Sequence, residues 1–156
     1  DQITMATWAA DCAERVLPFF EKAYPGDDRP RSAIETGRTW VRTGVFRMAE
    51  IRGASLAAHA AARDAEEGSA AQYAARAAGQ AVATAHVPQH AYGGAYYALK
   101  AVAAADPANA VVNVAREWEW QAERLAEGLR EEIMGRIVVL KHGGGVLVKL
   151  RKGDGF

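Results

Sequence analysis

The chain has one cysteine, no surplus of either charge and no long apolar run, and each shortage closes off a class of protein. Among 156 residues the sole cysteine is Cys12. An internal disulfide framework and a CxxC redox or metal site are therefore excluded, and a cytoplasmic location is the matching expectation. Nineteen basic groups balance nineteen acidic ones, leaving none of the basic excess that nucleic-acid binders use against phosphate. The 23 residues from Ala77 to Leu99 carry no formal charge, long enough to span a bilayer. They include Gln80, Thr84, His86, Pro88, Gln89, His90 and the Gly93-Gly94 pair. That polar content argues against a membrane helix. No signal-peptide pattern opens the chain, where Asp1 precedes any basic group. There is no P-loop, GxSxG, GxGxxG or HExxH, and Gly143 to Gly145 lack the Lys-Ser/Thr sequel of a phosphate loop. No cofactor is implied.

What the chain has in quantity is alanine, 35 residues of 156. Alanine loses no side-chain entropy in a helix and lets helices approach closely, so the expectation is an all-α fold. Charge is uneven: residues 69–115 hold only Arg76, Lys100 and Asp106, as inner helices of a bundle would, under charged flanking ones. Helical spacing and stop signals predict six helices. The first covers 7–24, capped by Thr7, loosened by Pro18 and ended by Pro25-Gly26. The second opens at Asp27-Asp28-Arg29-Pro30 and ends at Gly44. The third covers 47–67. The fourth starts at Ser69 with Gln72 in capping-box spacing, and Val87-Pro88 interrupts it. The fifth runs from about 88 to 105, and the sixth opens at Asp106-Pro107 and reaches Gly135. Short connections imply one domain of mostly antiparallel neighbours over 1–135. The remaining 136–156 reads as an extension, with Ile137–Leu140 and Val146–Leu150 flanking a glycine turn as a β-hairpin. Such a hairpin is marginal alone and must lie on the helices or pair with another chain. A homodimer is compatible with that edge and with alanine-faced helices.

Three groups of residues could carry chemistry. His86 and His90 are four apart, with Pro88 between them, and His59 could join them. Asp11 or Asp64 would complete a metal set, but without a glutamate-bearing motif we assign no metal ligand. His59 and Arg63 share a helix face at i, i+4. Asp11 falls close to an apolar stripe, where a carboxylate wants an Arg or His partner. Asp11, His59, Arg63, His86 and His90 thus form a candidate polar pocket, against the simpler reading of ion pairs that fix helix order. Cys12, on an alanine-rich face, is a small core residue rather than a nucleophile. Finally, Trp118 and Trp120 cannot share one helix face. A Trp exposed beside Glu119 would be a credible partner-binding anchor; the plainer alternative is a ring partly buried under Arg116 or Arg124. No residue is assigned as catalytic.

Several segments in order carry a family resemblance. They are Trp8-Ala9-Ala10-Asp11-Cys12-Ala13-Glu14, Asp27-Asp28-Arg29-Pro30-Arg31, Ala57-Ala58-His59 through Arg63-Asp64, Ala77-Ala78-Gly79-Gln80, Ala85-His86 and Tyr96-Tyr97-Ala98-Leu99-Lys100-Ala101. Over residues 8–133 the chain resembles immunity proteins with an Imm-5-like helical domain. The resemblance implies a bacterial cytoplasmic protein that binds a cognate toxin and blocks it, without catalysis. The competing expectation, from the residues alone, is a small-ligand or metal binder, or an enzyme, built on the His/Asp/Arg pocket.

Overall fold

Alanine sets how closely the helices meet. The computed structural model describes residues 1–153. Its helices are α1 (Gln2–Ala23), α2 (Arg29–Thr43), α3 (Met48–Asp64), α4 (Ala70–Ala83), α5 (His90–Ala105), α6 (Ala110–Glu123) and α7 (Glu127–Met134), with a single 3-10 turn, Pro107–Asn109, leading into α6. The fold is all-α with a small C-terminal hairpin, β1 (Ile137–His142) and β2 (Gly145–Leu150). Among the described residues, 22 of the 38 buried apolar side chains are alanine. Each stabilises less than the roughly 1.5–3 kcal/mol of a buried Val, Leu or Phe, so cohesion rests on many close backbone approaches. A methyl on Gly94 of α5 would lie 3.4 Å from Ala9 Cβ of α1, and one on Gly37 of α2 would lie 3.5 Å from Val82 Cα of α4. Helix α4 is the central element: it packs against α1, α2, α3 and α5 and buries Ala71, Ala74, Ala75, Ala77, Ala78, Gly79, Ala81 and Val82.

Local chemistry explains most helix ends and corrects several expected ones. α1 begins at Gln2, not Thr7, because the Asp1 carboxylate accepts the Ile3 N–H at 3.0 Å and the Thr4 hydroxyl at 3.1 Å. The helix continues through Pro18, which lies on its exposed side. α2 starts as expected, with Pro30 in its first turn, and ends at Gly44 in the left-handed region. At α4 the Ser69 hydroxyl accepts the Gln72 N–H at 3.1 Å. The Gln72 side chain then takes the Gly68 N–H rather than that of Ser69, and donates to the Ala62 carbonyl. It thereby ties the start of α4 to the end of α3.

The long sixth helix divides in two. α6 stops at Glu123, and the Arg130 side chain of α7 folds back to donate to the carbonyls of Ala122, Leu125 and Glu123. Carbonyls at a helix end lack regular intrahelical partners; the Leu125 N–H also reaches that of Ala122, the guanidinium caps all three, and Leu125 is buried at the bend. The hairpin pairs Ile137 with Leu150 through to His142 with Gly145. Gly143 and Gly144, at φ 53° and 85°, supply the positive φ that a two-residue turn needs at both positions. The hairpin rests on α5 and α6. Ile137 and Val148 are buried there, and the Trp118 indole N–H donates to the Ile137 carbonyl at 3.0 Å. Of the extension expected at 136–156, residues 154–156 lie outside the described residues. No helix among the described residues is long and apolar enough to cross a membrane.

Candidate functional site

Three of the five pocket residues expected from the sequence come together. His59 of α3, His86 of the α4–α5 connection and His90 at the start of α5 line one cleft of about 250 Å³. Met48, Ile51, Arg52, Ser55, Leu56, Gln80 and Ala83 complete it. The other two residues lie elsewhere. Asp11 accepts from Arg38 at 2.9 Å and from Arg124 at 3.4 Å, so its partners come from α2 and the end of α6 rather than from the histidines. Arg63 is exposed on α3 and acts on His59 only through its charge.

Two absent methyl groups shape the cleft floor. A Cβ on Gly79 would lie 2.7 Å from His59 Nε2, and a Cβ on Gly93 would lie 2.8 Å from the Gln80 side chain. Glycine at both positions lets these polar side chains lie flat against α4 and α5. Ser55 Oγ donates to the Gly79 carbonyl at 2.9 Å. His90 Nδ1 donates to Gln80 Oε1 at 2.8 Å, which leaves its Nε2 as the acceptor in the neutral ring. Arg76 has only donors, so it faces the unprotonated Nδ1 of His59, 3.5 Å away. Burial, then the charges of Arg76 and Arg63 and the nearby His90 ring, hold His59 below the usual imidazole range. Burial, and then His86, do the same for His90. Both rings are therefore neutral near pH 7. Phe46 stacks on His86 at 6.4 Å between ring centres, with 21° between planes.

Among the described residues no carboxylate lines this cleft. Among the described residues no group of three or more His, Cys, Asp or Glu side chains could hold a metal ion. Asp64, the other carboxylate considered for a metal set, instead accepts from Arg29 at 3.0 Å. Cys12 is fully buried, and burial, with Asp11 and Glu117 nearby, pushes its thiol well up; it is a packing residue and not a thiolate nucleophile.

The tryptophan surface expected on the sixth helix is largely occupied. Both Trp118 and Trp120 are half-buried. Trp118 is engaged by β1, while the Trp120 ring lies beneath the guanidinium groups of Arg15 at 4.5 Å and Arg124 at 5.3 Å. Glu119 is exposed, but Glu117 is buried in an ion pair with Arg15 at 3.2 Å. Sequence reasoning passed over Arg52, Ser55, Leu56 and Gln80 in the cleft and Val45 and Phe46 near it. For Val45 and Phe46 a signal existed, since they are large apolar side chains in the connection between the predicted second helix, ending at Gly44, and the third, starting at 47.

Residues 1–128 match the family model described as Imm-5 like putative immunity protein. The chain belongs to this family. Neither a curated protein nor a solved structure gives a significant match. In this Imm-5-like chain the matched region covers α1 to α6, and the hairpin lies beyond it. The segments that carry the resemblance divide by role. Asp11, Glu14, Arg29 and Asp64 form ion pairs between helices. His59, Gln80 and His86 line the cleft, with Gly79 beneath His59.

Proposed function

We propose that this protein is a bacterial immunity protein that binds a cognate toxin in the cytoplasm and blocks it without catalysis. Family membership supports the immunity role, and one surface observation carries the binding mode. Val45, Phe46, Met48 and Leu56 keep 56, 43, 44 and 57% of their surface exposed. Met48 and Leu56 line the cleft and Phe46 stacks on His86, another lining residue, while Val45 lines a neighbouring groove that shares Ile51 with the cleft. Arg52 lines the cleft with Met48 and Leu56, and Arg47 and Glu50 line the groove with Val45. Large apolar side chains grouped within a charged rim mark protein-binding surfaces. This face replaces the Trp118–Trp120 surface as the proposed contact.

The test is growth rescue in cells expressing a candidate cognate toxin domain, together with inhibition of that purified domain. Inhibition is expected to saturate at equimolar protein and to be lost in Phe46→Asp, whose melting temperature should stay near the parent's. Protection by far less than equimolar protein would point to an enzyme instead. On the hairpin, the exposed cross-strand pair Leu140 and Leu147 supports a second reading, self-association. A monomer mass in light scattering that does not change with concentration would end that reading.

A further inference from the structure

We propose that the cleft between α3, α4 and α5 is a binding site for a small organic acid, a carboxylate carried on an aromatic or branched apolar body. The charge distribution carries the argument. Every ionisable side chain lining the cleft is basic: Arg52, His59, His86 and His90. Arg63 and Arg76 add their charges behind His59. Among the described residues none of Arg52, Arg63 and Arg76 is paired with a carboxylate, and the acidic residues closest in sequence are already taken, Glu50 by Arg47 and Asp64 by Arg29. The cleft therefore has uncompensated arginine charge to attract an anion, and no carboxylate among its described lining residues to balance it.

Shape and composition narrow the class. The remaining lining is mostly apolar, from Met48, Ile51, Leu56 and Ala83, with Phe46 stacked at the rim. A bare inorganic anion would leave that surface unused, whereas an acid with an apolar body contacts both parts. About 250 Å³ is below the roughly 300–1,000 Å³ typical of sites for drug-sized ligands, which limits the occupant to about one ring. The polar floor is also seated in advance, because the spaces at Gly79 and Gly93 fix His59 and Gln80 before any ligand arrives. This site does not depend on the toxin-binding reading.

The test is calorimetry and amide-resonance NMR of the whole protein with phenylacetate, its neutral analogue phenylacetamide, the cation phenethylamine and a blocked Leu-Glu-Leu peptide. Phenylacetate is expected to bind saturably, shift the resonances of His59, His86 and His90, and exceed the amide by about tenfold or more, as a charge-assisted contact should. Arg52→Gln should weaken phenylacetate by a similar factor with an unchanged melting temperature, because Arg52 is exposed. Gly79→Ala should weaken it through displacement of His59. Equal binding of acid and amide, no effect of Arg52→Gln, shifts at residues away from the cleft, or no binding would overturn the proposal. Tighter binding of the peptide than of phenylacetate would also overturn it, by showing that the cleft reads a polypeptide side chain.

Discussion

Arginines on two sides of the bundle are in opposite circumstances. On the α1–α2 side Arg29 holds Asp27 and Asp64, Arg31 holds Glu21, and Arg38 holds Asp11 and Glu14. Around the cleft, Arg52, Arg63 and Arg76 hold no carboxylate among the described residues, and the half-buried imidazoles beside them are kept neutral. Alanine helices explain the first arrangement. Smooth methyl faces slide easily, and ion pairs between helices fix their order and register with little net stabilisation. Nothing in packing requires the second. Positive charge gathered without compensation works against the fold, and is understandable where a partner or ligand brings the opposite charge.

The sharpest way to break this comparison is the same substitution at a paired arginine, here one that joins α1 to α6, and at the unpaired ones. Arg15 pairs with Glu117, whose side chain is only 9% exposed, and it covers Trp120. Arg15→Ala leaves a buried carboxylate unpaired and should cost about 1–3 kcal/mol, below the full value for a buried pair because Arg15 itself is half in water. Arg52→Ala, and equally Arg63→Ala, should change stability by less than about 0.5 kcal/mol. Urea denaturation reads both. A similar loss in the two regions would show that the cleft arginines also serve the fold.

A smaller effect separates two helical glycines. A methyl on Gly53 of α3 meets nothing within 4 Å, whereas one on Gly79 of α4 meets the His59 ring at 2.7 Å. Gly53→Ala should therefore stabilise by about 0.5–1 kcal/mol from helix propensity. Gly79→Ala gains the same propensity but must displace the ring, and overpacking of about 1–3 kcal/mol should leave it neutral to about 2 kcal/mol destabilised. Thermal unfolding of the pair gives the difference directly. A more stable Gly79→Ala protein would show that the imidazole swings out freely and that the cleft floor is not preorganised.

The sequence revealed the helices more readily than the way they meet. Alanine content, the Asp-Arg-Pro start of α2, the Ser69 cap and the β-branched segments around Gly143-Gly144 are local signals, and the elements they predict are present. The break at 124–126 has no such signal: it contains neither Gly nor Pro, and its cause is Arg130 reaching back from the next helix. The same limit holds at the candidate site. That Asp11 needs a basic partner follows from its place beside an apolar stripe. That the partners are Arg38 and Arg124 follows only from how α1 lies against α2 and α6. His86 and His90 reach His59 because the Pro88 turn reverses the chain, which the i, i+4 spacing of a continuous helix would not have shown.

The smallest effect concerns acid, and its sign distinguishes the two regions as well. His59 and His90 sit below the ordinary imidazole value of about 6.5 in the folded protein, chiefly through burial. As pH falls through 6.5 the unfolded chain takes up protons on these rings before the folded chain does, so stability declines on acidification until the lower folded values are passed. Above that range both rings are neutral in either state, and they contribute no pH dependence. Glu21 and Asp27, held low by Arg31 and Arg29, begin to cost stability as pH falls into the ordinary carboxylate range, where the unfolded chain protonates first. Melting temperature between pH 7.5 and 5 should thus fall through His59 and His90, and His59→Gln with His90→Gln should flatten that part of the curve. An undiminished slope in the double variant would place the acid-sensitive groups outside the cleft. Added phenylacetate should reduce the slope in the parent protein, because a bound anion raises both folded pKa values towards that of the unfolded chain.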